Sequence, residues 1–120
     1  MIDHIESSIN HCYRCAIACE RCISAAQLSS EQESMYDCLR LAAQCAALCR
    51  LTAQCVSEDS KAAVALYPIC AAACRACAVE CEKYSLLSCS YCAQICRQSA
   101  AAFEAAAAQA AYLADDSPQV

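Results

Sequence analysis

The cysteines of this 120-residue chain recur at steps of three and four residues, which is the spacing of one face of an α-helix. Four segments carry such a stripe, and fourteen of the fifteen cysteines lie on them. The stripes contain Cys12, Cys15, Cys19 and Cys22; Cys38, Cys45 and Cys49; Cys70, Cys74, Cys77 and Cys81; and Cys89, Cys92 and Cys96. Cys55 lies just beside the second stripe. Sulfur is thus concentrated on four helical faces.

Thiolates are ligands for soft metals such as Cu(I) and Zn, whereas Mg and Ca prefer oxygen. Cysteines three or four residues apart on one helix let two sulfurs reach one ion, with a third from a neighbouring helix, which suits two- and three-coordinate Cu(I). Zn sites instead take four ligands, typically from two Cys pairs in turns. The pattern therefore favours several Cu(I) ions per chain. We predict that all fifteen cysteines bind metal, together with His11 and Met35, and His4 is a further candidate.

Other thiol chemistry fits the sequence less well. A secreted disulfide scaffold would use turns rich in Gly and Pro, but this chain has no Gly, two Pro and an odd number of cysteines. No acid, base and nucleophile set emerges, and no Glu lies on the stripes as a di-iron bundle requires, so we predict that the chain is not an enzyme. A thiol-rich redox buffer, or a protein that sequesters Zn and Cd, remains the alternative.

Two helices are predicted in the first half of the chain. Asp3 and Glu6 form a capping box that opens helix 1, which is predicted to end near Ala26. A similar polar start at Ser30 predicts helix 2 over residues 30–57. The turn between them is short, so the two helices are expected to be antiparallel.

The second half predicts two more helices. Ser60 is the expected N-cap of helix 3, in which Pro68 either produces a kink or separates a short turn, residues 61–66, from a helix that continues to about Tyr84. Helix 4 is predicted over residues 88–114. The predicted fold is all-α, an antiparallel up-down-up-down four-helix bundle with a Cys-lined core. It forms one domain over residues 1–114, followed by a loose tail, 115–120.

Charge and hydropathy limit the partners. The net charge is −5 without a basic stripe, so nucleic acid is not expected, and no membrane insertion is predicted. No signal peptide is visible at the N-terminus, which predicts a cytoplasmic protein with reduced thiols. Several large aliphatic side chains fall outside the stripes and predict a homo-oligomer. They are Ile17, Ile23, Leu39, Leu41, Leu48 and Leu51.

A Cys-x2-Cys-Ala-x2-Cys unit recurs in residues 12–22, 70–83 and 89–97. These runs resemble the bacterial copper storage proteins, a Cys-rich four-helix-bundle family that binds Cu(I), and the absence of a leader resembles its cytosolic branch. The likeness extends from about His11 to Arg97. It implies a tetramer of bundles, each filled with Cu(I) through one open end, and delivery of copper to a chaperone or a copper enzyme.

The chain departs from that family pattern in two places. Histidines are common in the family between helices 3 and 4, but here residues 84–88 read Tyr-Ser-Leu-Leu-Ser. Ser99 stands where a further Cys is expected, and Phe103 and Leu113 follow it on the same stripe. We therefore expect metal in the half of the bundle that holds Cys22 and Cys89, with apolar side chains closing the other end.

Overall fold

The computed structural model describes the backbone of residues 2–116 and the side chains of residues 5–113. The described backbone forms four α-helices and no strand, which confirms the predicted all-α bundle. The helices are α1 (Ile2–Gln27), α2 (Tyr36–Ser57), α3 (Ala62–Cys81) and α4 (Leu87–Asp116), and a short 3-10 helix, Gln32–Met35, precedes α2. Each helix packs on the next along the chain, and α4 packs back on α1. This closes an elongated bundle of 60 × 21 × 19 Å.

The start of α2 is later than the sequence predicts. Residues 28–35 form turns and the 3-10 helix, so the expected opening near residue 30 is wrong. The Ser29 hydroxyl accepts a hydrogen bond from the Glu31 N–H at 3.0 Å, and the Ser34 hydroxyl donates to the Glu31 carbonyl at 2.8 Å. Serine side chains that bond to nearby backbone compete with α-helical hydrogen bonds. This local competition delays the α-helix to Tyr36.

α3 is continuous through Pro68, so a separate turn over residues 61–66 is wrong. The helix begins at Ala62, whose N–H donates to the Ser60 hydroxyl at 3.2 Å, and it ends at Cys81 instead of near Tyr84. α4 starts one residue before and ends two residues after the predicted helix. It therefore includes the first two residues of the predicted tail, while residues 117–120 lie outside the described part.

Among the described residues, α3 is the one helix long and apolar enough to cross a membrane by length and composition. Such a helix is weak evidence on its own, because a core helix of a soluble protein passes the same test. The four cysteines of α3 are fully buried against the other helices. This places α3 as an element of the bundle.

Arginine–carboxylate pairs join neighbouring helices on the outside. Arg50 of α2 binds Glu20 of α1 through two hydrogen bonds of 2.9 and 2.6 Å, and Arg75 of α3 binds Glu104 of α4 in the same forked manner. A third such pair joins Arg97 of α4 to Glu82 at the end of α3. The described pairs of this kind thus link α1 with α2 and α3 with α4.

Candidate metal centre

The predicted cysteine stripes converge on the axis of the bundle. Fourteen cysteines expose 1% or less of their surface, and all carry free thiols. We call this set the thiol column; it consists of Cys12, Cys15, Cys19, Cys22, Cys38, Cys45, Cys49, Cys70, Cys74, Cys77, Cys81, Cys89, Cys92 and Cys96. Because each helix presents its cysteines at steps of three and four, all four helices contribute sulfur to one shared interior.

At one end of the column three sulfurs form a nearly equilateral triangle. Cys22, Cys38 and Cys81 have mutual Sγ–Sγ distances of 3.7, 3.8 and 3.7 Å, and we call them the end triad. Cys89 lies 3.4 Å from Cys22, so every helix supplies one thiol at this level. Three equidistant sulfurs on a triangle are the arrangement that a three-coordinate soft ion requires.

Further along the axis, two sets of four thiols share no residue. The first tetrad is Cys15, Cys45, Cys49 and Cys74, and the second tetrad is Cys19, Cys77, Cys92 and Cys96. Within each set the sulfurs lie within 4.8 Å of one another. Three Sγ–Sγ distances in the first tetrad measure 3.5–3.6 Å, and four in the second measure 3.8–4.0 Å. Each tetrad can therefore surround a metal ion.

Short sulfur contacts also join these sets to one another. Cys15 lies 3.7 Å from Cys96, which connects the two tetrads, and Cys77 lies 3.9 Å from Cys81, which connects the second tetrad to the end triad. Cys70 extends the series beyond the first tetrad through a 3.5 Å contact with Cys49. A metal ion could pass from one set to the next without leaving sulfur ligands.

The opposite end of the interior is apolar and aromatic, as the sequence predicts. Phe103 is fully buried and its ring stacks on Tyr67 with a centroid distance of 6.2 Å. Val56 and Ala63 are buried as well. Leu113 was expected to help close this end, but it is 56% exposed because it lies on the part of α4 ten residues beyond Phe103. We call Thr52, Val56, Ala63, Tyr67, Ser99 and Phe103 the apolar end.

The two buried hydroxyls of the apolar end bond to backbone carbonyls and are satisfied. Thr52 donates to the Leu48 carbonyl at 2.7 Å, and Ser99 donates to the His11 carbonyl across the α1–α4 interface at 3.3 Å. Buried hydroxyls with a partner cost little, so neither one requires a ligand. These residues therefore mark where the thiol column stops.

Burial sets the protonation of the thiols at both limits of the column. Burial, followed by the nearby Cys70 and Cys15, raises the pKa of Cys12 to about 12 from an ordinary 9.0. Burial and the adjacent Cys22 raise the pKa of Cys89 in the same direction. Both thiols are therefore protonated at neutral pH, and a metal ion must displace a proton to bind them.

Cys12, Cys70 and Cys89 of the thiol column lie outside the groups of ligand atoms that the described residues form, and so do the remaining predicted ligands. Cys55 is half-buried beside the stripe. His11 is partly exposed, and burial with the neighbouring Arg14 lowers its pKa. Met35 is fully buried in the 3-10 helix before α2. The side chain of His4 lies outside the described residues.

A polar contact near the end triad was missed from the sequence. The Tyr84 hydroxyl lies 2.9 Å from a carboxylate oxygen of Glu80 and 3.0 Å from the Ser34 carbonyl. Lys83, and then Tyr84, hold the pKa of Glu80 below its usual range. The four-residue spacing of Glu80 and Tyr84 could have indicated their contact, but nothing in the sequence indicates Ser34, which is 50 residues away.

Comparison with known proteins agrees with this geometry. The family model described as copper storage protein matches residues 1–108. The chain belongs to the copper storage protein family. This membership confirms the resemblance that the cysteine runs show in the sequence.

Individual relatives in this family are similar over most of their length. An uncharacterized cysteine-rich protein, YhjQ of Bacillus subtilis, is 32% identical over 94 residues, which cover 78% of this chain and 87% of that protein. The Cu(I)-bound copper storage protein BsCsp3 superposes with a TM-score of 0.81 at 30% identity, covering 85% and 96% of the two chains. A cytosolic copper storage protein from Streptomyces lividans, solved with five coppers, gives 0.84 at 28% identity, covering 88% and 93%.

Proposed function

We propose that the thiol column stores Cu(I), with the column cysteines as ligands and many ions per chain. The observation that carries this proposal is the continuity of sulfur: contacts of 3.4–4.0 Å link column thiols from Cys89 to Cys74, and Cys49 continues the series to Cys70. Thiolates select soft ions over hard ones. Storage therefore fits the interior, and we propose no catalytic role.

Packing outside the thiol column supports storage, because part of the core does not use sulfur. The fully buried ring of Phe103 stacks on Tyr67 beyond the last column thiols. A metal that binds a preformed site does not have to order the chain. Copper can then fill or leave the column while the bundle persists. Cys55, His11 and Met35 stay predictions as additional ligands.

The assembly and its partners belong to the same proposal. Ile17 and Leu51 are each 46% exposed on the outside of the bundle, whereas Ile23, Leu39, Leu41 and Leu48 are half-buried and pack on the core. Exposed aliphatic side chains on α3, Ile69 and Val79, add to this surface. We assign it to a homotetramer in the cytoplasm that exchanges copper with a chaperone or a copper enzyme.

A redox buffer is the weaker alternative. Oxidant scavenging requires accessible thiolates of low pKa. The column thiols are inaccessible, since each exposes 1% or less of its surface. Burial therefore favours metal storage over reaction with oxidants.

Titration of the reduced chain with Cu(I) in competition with a strong Cu(I) chelator tests the proposal. We expect uptake of roughly one ion per column thiol, with circular dichroism already fully helical before the first addition. Replacing a column cysteine with Ser, as in Cys45→Ser, should lower the capacity, whereas Cys55→Ser should lower it least. Uptake of one or two ions per chain would refute storage.

A further inference from the structure

We infer that the thiol column selects its cargo by charge: it accepts univalent soft cations, Ag+ as well as Cu+, and rejects divalent soft cations such as Cd2+ and Zn2+. This inference rests on the proposed function, because it specifies which class of ion the same thiols hold. It extends that function from copper to silver and excludes the Zn and Cd sequestration that cysteine content alone suggests.

Geometry does not provide this selectivity. A tetrahedral Zn site with Zn–S bonds of about 2.3 Å needs sulfurs about 3.8 Å apart. In the second tetrad Cys19 lies 3.8 Å from both Cys92 and Cys96, and Cys92 lies 3.9 Å from Cys96. In the first tetrad the corresponding edges are 3.5–3.6 Å. By distance alone, both tetrads fit a divalent ion.

Charge distinguishes the two ion classes. Four thiolates around one divalent ion carry a net charge of −2, whereas univalent ions bound one per thiolate leave the site neutral. An unpaired charge buried away from water is strongly unfavourable. Since both tetrads are fully buried, filling them with divalent ions would place two such charges inside the bundle.

Nothing buried among the described residues compensates that charge. The buried polar or charged side chains are Thr52, Ser99 and Glu80, and Glu80 is itself an anion. Every described Lys and Arg side chain is exposed or half-exposed, and His11 is partly exposed. The helical backbone N–H groups that flank the column are bonded within their own helices and cannot donate to sulfur. A divalent ion held by four thiolates therefore leaves a buried charge that univalent ions bound one per thiolate avoid.

Ag+ and Cd2+ test the inference as a matched pair, because both are soft, have the same number of d electrons and differ in charge. The reduced full-length chain is equilibrated with each ion in turn, desalted in the presence of a weak chelator, and analysed for bound metal and helicity. We expect Ag+ to be retained at roughly one ion per column thiol and Cd2+ to be retained at less than one ion per folded chain. The same chain unfolded in urea serves as the control, and it should retain Cd2+ because its thiolates are solvated.

Each outcome decides the inference. Retention of one or more Cd2+ ions per chain with full helicity would overturn it and leave copper storage intact, and so would failure to retain Ag+ in a chain that fills with Cu+. Failure to take up many Cu+ ions would overturn the proposed function itself. Retention of Cd2+ accompanied by loss of helicity would support the inference, because the divalent ion would then require solvent around its thiolates.

Discussion

The thiol column and the apolar end occupy the same bundle, but their side chains contribute different things. In the column, small cysteines fill the space between the helices, and their sulfurs lie 3.4–4.0 Å apart. In the apolar end, Phe103 and Tyr67 stack, and the buried hydroxyls of Thr52 and Ser99 bond to backbone. Cysteine acts as a small hydrophobe, whereas an aromatic ring buries far more area.

This difference indicates how a metal store can be folded when it is empty. The apolar end supplies the fully buried ring of Phe103 and the partly buried ring of Tyr67, which do not depend on metal, so it can hold the helices in register. The column is then free to exchange its protons for metal ions without loss of that anchor. The comparison predicts that perturbing the column changes stability through protonation, and that perturbing the apolar end changes stability through packing.

Alkaline pH should weaken the apo column most. Burial holds the pKa of Cys12 at about 12, above the ordinary 9.0, so between these values the unfolded chain loses a proton that the folded chain keeps. Stability that is fully present below pH 9.0 is therefore lost as the pH rises towards 12, by about 1.4 kcal/mol per pH unit for each such thiol. Urea unfolding at a series of pH values measures this slope.

The variant Cys12→Ala isolates the contribution of that one thiol. Its unfolding free energy should fall less steeply with pH, by about 1.4 kcal/mol per unit, than that of the unchanged chain. The copper-loaded chain should show a shallower slope still, because its thiolates are already deprotonated. Identical slopes for the variant and the unchanged chain would show that burial does not hold this proton.

Phe103→Ala should destabilise the apo bundle by about 3–5 kcal/mol, because it leaves a cavity beside Tyr67 in the apolar end. Its copper capacity should not change, since Phe103 lies outside the thiol column. Urea unfolding and Cu(I) titration measure the two quantities separately. Phe103→Leu, which keeps part of the volume, is the control and should lose less stability. A parallel loss of copper capacity in a variant that remains helical would contradict the separation of the two regions.

The sequence predicts the column well because its signal is a repeat. Cysteines at steps of three and four, as at Cys12, Cys15 and Cys19, indicate one helical face, and four such faces must meet in a bundle. The same register correctly places Phe103 and Ser99 inside. The pattern therefore also predicts how far along the bundle axis each side chain lies, wherever the helices run side by side.

Features that depend on a single tertiary contact, or on side chains that compete with helical hydrogen bonds, could not be predicted from the sequence. The contact between Tyr84 and the Ser34 carbonyl joins two turns that no periodicity relates. The delayed start of α2 depends on hydrogen bonds of Ser29 and Ser34 to nearby backbone. Pro68 leaves open whether α3 continues through it, and the helix is continuous. Hydrogen-bond geometry decided the first two cases.

Ser99→Cys should move the boundary between the two regions. Ser99 is fully buried one helical turn beyond Cys96, and a thiol there would extend the column towards Phe103. We expect the capacity for Cu(I) to rise by about one ion, with a change in apo stability of about 1 kcal/mol from loss of the hydrogen bond to the His11 carbonyl. Ser99→Ala is the control, with the same lost hydrogen bond and no added ion. Equal copper capacities for the two variants would show that the packing of the bundle, and not the number of thiols, limits storage.

Glu20→Gln should have the smallest effect, because it changes a surface pair beside the column and not the column itself. Glu20 and Arg50 are each nearly half exposed, so solvent screens their forked ion pair, and the expected loss is about 0.5 kcal/mol. The difference between the variant and the unchanged chain should shrink in about 1 M salt, where the screening length falls to about 3 Å. Urea unfolding at low and high salt measures it. A loss as large as that of Phe103→Ala would mean that the thiol-lined half depends on its external ion pairs, and that the apolar end alone does not hold the helices together.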